Sequence, residues 1–63
     1  MDATLDVLIA LCIKRENDLK VELATLVEAT NITDEKKLER ATEIIELAHQ
    51  ARNLKAKIEA LKH

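Results

Sequence analysis

Apolar residues recur along this chain at the 4-3 spacing of helices that bury one stripe. In the first half, Leu5, Ile9, Cys12, Leu19, Leu23 and Leu26 hold that spacing, flanked by Leu8, Ile13, Ala24 and Val27. In the second half, Ile44, Leu47, Ala51, Leu54, Ile58 and Leu61 hold it, with Leu38, Ala41, Ile45 and Ala48 beside them. The pattern predicts two helices, over about 3–30 and about 34–62, each roughly 42 Å long at ~1.5 Å per residue.

The polar stretch Thr30-Asn31-Ile32-Thr33-Asp34-Glu35 separates the two arms. Asn31 can take the left-handed conformation that ends a helix. Thr33 suits an N-cap, which places Asp34 and Glu35 at the positive end of the second helix dipole. Lys36 stands where a capping box would carry Glu or Gln. Equal arms and a short connector predict an antiparallel helical hairpin, a single domain over residues 1–63. The alternative is a continuous parallel coiled coil of roughly 90 Å. Its register would run by sevens from Leu5, Cys12, Leu19 and Leu26 into Thr33, Arg40, Leu47, Leu54 and Leu61. That rod would place Thr30, Thr33, Lys37 and Arg40 in succession at its centre and open it there, so the hairpin is preferred.

Residues 7–13, Val-Leu-Ile-Ala-Leu-Cys-Ile, are apolar all the way round. More than one neighbour must cover such a run, which is far shorter than the roughly 20 apolar residues that span a bilayer. The apolar positions of the second arm also drift around its wheel by more than the ~20° per heptad that supercoiling explains. Two helices alone bury one narrow seam. Pairing of two hairpins into a homodimeric four-helix bundle would cover the remainder.

Composition agrees with an all-α reading. The chain of 63 residues has no Gly, no Pro and no aromatic residue, with 48% apolar and 35% charged positions. That mixture excludes disorder, and the missing turn residues make a β-rich fold hard to build. A chain this short rarely stabilises itself without a disulfide, a metal or a partner. Cys12 is the only cysteine, so no intrachain disulfide forms; it reads as a small buried hydrophobe in a cytoplasmic protein. Met1 is followed by Asp2 and Asp6 with no basic segment, so the apolar run does not read as a signal peptide. The net charge of −2 gives no general attraction to nucleic acid or to an anionic membrane.

Glu16 falls on the apolar face of the first arm, where the pattern calls for Leu. An ionised carboxylate there needs a cation or holds its proton. Arg52 lies at a compatible level of the second arm, and Arg15 of a second copy is another candidate. Glu46-Leu-Ala-His49 has the Glu-x-x-His spacing of di-iron four-helix proteins. With Ile44, Ile45, Leu47 and Ala48 facing inward, however, Glu46 points outward and His49 sits at the rim. A nucleophilic Cys12 would need a nearby base, and the run 7–13 supplies none. No catalytic, metal or cofactor residue is assigned.

The second arm is polarised, with Glu35, Glu39, Glu43 and Glu46 toward its start and Arg52, Lys55, Lys57, Lys62 and His63 toward its end. This complements the helix dipole and can steer pairing between chains. In architecture and length the chain resembles the plasmid-encoded repressor-of-primer proteins, dimeric helical hairpins that bind paired RNA loops. The resemblance is of shape and implies an RNA partner, whereas the missing aromatics leave nothing to stack on a base. The sequence therefore predicts a small non-enzymatic protein–protein interaction module, an adaptor, regulator or inhibitor acting as a homodimer. The alternative is an RNA- or DNA-binding hairpin regulator. Val7, Leu11 and Val21, with Leu8 and Ile13 behind them, are the candidate interface, and Glu16 and Arg52 the candidate buried polar pair.

Overall fold

A computed structural model describes residues 3–62; Met1, Asp2 and His63 lie outside it. Two helices account for nearly all of it: α1, Thr4–Glu28, and α2, Asp34–Leu61. They pack against each other as a hairpin with extents of 50 × 14 × 10 Å, so the continuous rod does not form. Among the described residues no helix is long and apolar enough to cross a membrane.

The connector works differently from the sequence expectation. No described non-glycine residue has positive φ, so Asn31 does not end α1 in the left-handed region. Instead the chain turns extended at Ala29, with φ −63° and ψ 135°, two residues earlier than expected. The last turn of α1 carries no cation of its own. Lys37 reaches back across the connector and donates from Nζ to the Val27 carbonyl at 3.2 Å. This puts a positive charge at the negative end of the α1 dipole. Thr33 is the N-cap of α2, its Oγ1 accepting from the Lys36 N–H at 3.3 Å. Asp34 and Glu35 occupy the first turn that follows.

The core is a seam. From α1 it takes Leu5, Ile9, Cys12, Glu16, Leu19, Leu23 and Leu26, all buried or half-buried, which is the 4-3 stripe of the sequence with Glu16 filling its gap. Leu19, Leu26 and Ile44 form its centre, with Leu23, Ile32, Ala41, Leu47 and Ala48 packed against it. Ile44 is 1% exposed.

On α2 the seam is rotated from the expected stripe. Ile44, Ala51 and Ile58 face α1 as expected, but Ala41, Ala48 and Lys55 share that face. Leu54 and Leu61 are 52% and 73% exposed, and Ile45 and Leu38 are exposed as well. Small side chains at 41, 48 and 51 let α1 approach closely. The Lys55 stem can cover apolar surface while its ammonium stays in water. A leucine ridge runs along the edge of the contact: Leu47 is half-buried against the central cluster, whereas Leu54 and Leu61 stand outside it.

Candidate interaction surface

Ion pairs link the two helices at three levels. Lys62 pairs with Asp6 near the open end. Arg52 pairs with Glu16 at mid-length, and Arg40 pairs with Glu22 toward the connector. Each takes its acid from α1 and its base from α2. The Arg40 guanidinium also donates to Glu43 at 2.8 Å. The two carboxylates that accept from Arg40 raise its pKa above the usual arginine value. Sequence reading did not find the Glu22–Arg40 or Asp6–Lys62 pairs. Their signal was available in the opposite charges at matching levels of an antiparallel hairpin.

Glu16 receives two hydrogen bonds from Arg52, from Nη2 at 2.7 Å and from Nε at 3.2 Å. Lys20 lies one turn on, with its Nζ 3.9 Å away. The Glu16 side chain is 15% exposed and that of Arg52 63%. The pair is therefore a strap from the seam out to solvent, and no charged residue among the described ones is fully buried. The hydrogen bonds from Arg52 hold the Glu16 carboxyl below its ordinary value, against a smaller opposing effect of desolvation; the charges of Arg52, Lys20 and Lys55 add to the lowering.

The leucine ridge of α2 and one flank of α1 leave an open groove of about 370 Å³. Leu8, Leu11, Cys12 and Arg15 line it from α1, and Leu47, Gln50, Ala51 and Leu54 from α2. Arg15 is its one charged lining residue. No protein family, characterised protein or solved structure matches the chain.

The other candidate positions distribute around this groove. Leu8 and Leu11 line it; Val7, Ile13 and Val21 are exposed but do not. Ile45, Ala48, His49 and Arg52 line a smaller depression. There the expected inward position of Ile45 is corrected: it is half exposed, since α1 packs on the Ala41 and Ala48 side. Glu46 and His49 are both exposed. Among the described residues no group of three or more His, Cys, Asp or Glu side chains is placed to hold a metal ion. The buried Cys12 forms the floor of the groove.

Proposed function

We propose that the chain is a small non-enzymatic protein–protein interaction module that works as a homodimeric helical bundle, an adaptor, regulator or inhibitor of another protein. The observation that carries this reading is the apolar groove together with the further exposed leucine, isoleucine and valine side chains of both helices. An apolar groove rimmed by polar residues commonly marks an interaction site. A cytoplasmic location fits the single thiol.

A nucleic-acid-binding hairpin is the weaker reading. Much of the basic end of α2 is already engaged: Arg52, Lys55 and Lys62 each lie within ion-pair distance of a carboxylate. Sedimentation equilibrium and thermal melts over a concentration series test the preferred reading. A mass of two copies and a melting temperature that rises with concentration are expected. A monomer with a concentration-independent melt overturns it. Titration with RNA over a salt series is expected to show weak, non-selective binding, and tight sequence-selective binding at physiological salt would move the protein to the second class.

A further inference from the structure

The groove between the helices is not apolar along its whole length. Arg15 from α1 and Gln50 from α2 stand on its two walls. Both lie next to the Glu16–Arg52 ion pair, and so at about the same level of the hairpin. Neither side chain has a hydrogen bond or ion pair with any described residue. Four residues from each toward the open end come Leu11 and Leu54, with Leu8 one turn beyond Leu11. Three residues from Gln50 toward the connector comes Leu47. The groove is a polar rung with apolar wall on either side of it.

This arrangement specifies an occupant. A guanidinium offers five N–H donors and no acceptor, and an amide adds two donors. A carboxylate is the side chain that accepts from both, and the charge of Arg15 favours it further. The spacing selects the element that carries it. One helical turn rises ~5.4 Å, and residues three or four apart share a face. A helix laid along the groove meets the rung with one residue and the leucines with the residues one turn before and one turn after. Docking of an amphipathic helix into an apolar groove uses anchors at this spacing. A second copy does not present such a face. On the two described helices, Asp or Glu with Leu, Ile, Val or Cys one turn before and one turn after occurs at Glu16, between Cys12 and Leu19, and at Glu22, between Leu19 and Leu26. Those apolar neighbours are buried in the seam, and the two carboxylates already accept from Arg52 and Arg40.

We infer that the groove takes an amphipathic helix of another protein, one that carries Asp or Glu with an apolar residue one turn to either side. The carboxylate meets Arg15 and Gln50, and the apolar residues meet Leu11 and Leu54 on one side and Leu47 on the other. This rests on the interaction-module reading and adds to it the chemistry of the partner. Ile13 and Ile45, exposed outside the groove, remain for the contact between copies.

The probes are three fluorescein-labelled synthetic peptides of about 20 residues, long enough to hold a helix. Each has Leu four residues before and three residues after a central position that is Glu, Gln or Lys. Binding to the full chain is read by fluorescence anisotropy, with circular dichroism to establish that each variant is helical. Wild type is expected to bind the Glu peptide roughly fivefold more tightly than the Gln peptide, and the Lys peptide least. Arg15→Glu is expected to reverse that order. Leu54→Lys, at a position the hairpin already exposes, is expected to weaken binding of the Glu peptide roughly thirtyfold. Arg15 is exposed too, so its exchange remains informative if Leu54→Lys fails to fold. A wild type that binds no peptide or all three alike, or an order that Arg15→Glu does not reverse, overturns the inference. Binding unchanged by Leu54→Lys places the peptide elsewhere and overturns it. A wild-type dimer that the Glu peptide or Leu54→Lys separates into monomers shows the groove to be the contact between copies, and overturns it as well. A two-copy mass in sedimentation that neither disturbs leaves the homodimer reading standing whatever the peptides do.

Discussion

The half of the hairpin beside the connector and the half toward its open end use the same two helices and pack differently. Near the connector, Leu19, Leu26 and Ile44 meet in one cluster, and Ile32 of the connector packs against it as a third wall. Toward the open end, Cys12 and Ile58 are buried outside that cluster. The half-buried positions of that half are Leu5, Ile9, Glu16, Ala51 and Lys55, with the groove open beside Cys12. Beside the connector a third segment closes one side of the core. Elsewhere the apolar positions outnumber the faces that one partner helix can bury.

The strongest way to break this comparison is to empty each half in turn. Ile44→Ala is expected to cost about 4 kcal/mol, near the upper part of the ~2–5 kcal/mol range for large-to-small core changes, because Leu19 and Leu26 surround it. Ile58→Ala should fall near the lower end of that range, about 2 kcal/mol, since Ile58 lies outside the central cluster. Urea denaturation of both variants checks this. Equal losses would mean that the two halves are one cooperative core of uniform density.

Replacing the polar member of the seam sharpens the same contrast. Glu16→Leu continues the α1 stripe across the mid-level and is expected to raise the melting temperature at neutral pH. The pH profile separates packing from charge. The folded pKa of Glu16 lies below its ordinary value of 4.5 because Arg52 hydrogen-bonds the carboxylate. A depressed carboxyl contributes stability that is full above the unfolded pKa and is lost as pH falls through the folded one. Wild type should therefore lose melting temperature between about pH 5 and about pH 3, and Glu16→Leu should lose less over that window. An identical pH dependence in the two proteins would show that the Arg52 hydrogen bonds do not persist in solution.

The connector is expected to give the smallest effects. Thr33→Ala removes the acceptor for the Lys36 N–H and should cost about 1 kcal/mol, measured as a shift in the denaturation midpoint. Lys37→Met removes the cation at the end of α1 and should cost about 0.3–1 kcal/mol, an effect that shrinks with added salt. A salt-independent loss would mean that Lys37 acts through its stem packing.

Two helices, the polar break between them, the Thr33 cap and the seam of α1 with Glu16 at its gap were legible in the order of residues. Each follows from the order of residues along one helix or from a single local hydrogen bond. The missing Gly and Pro likewise excluded the turn-rich folds. Which side of α2 meets α1 was settled by packing between the helices. That helix carries two overlapping apolar stripes that share Ile44, Ala51 and Ile58, and its own periodicity cannot rank them. Alanines that permit close approach favour one, and ion pairs run across it at three levels of the hairpin; Leu47 stays half-buried at the edge of the contact, and Leu54 and Leu61 are left exposed. The end of α1 was also a tertiary matter: an extended step at Ala29 and a lysine from the other helix replaced the left-handed turn that Asn31 alone suggested.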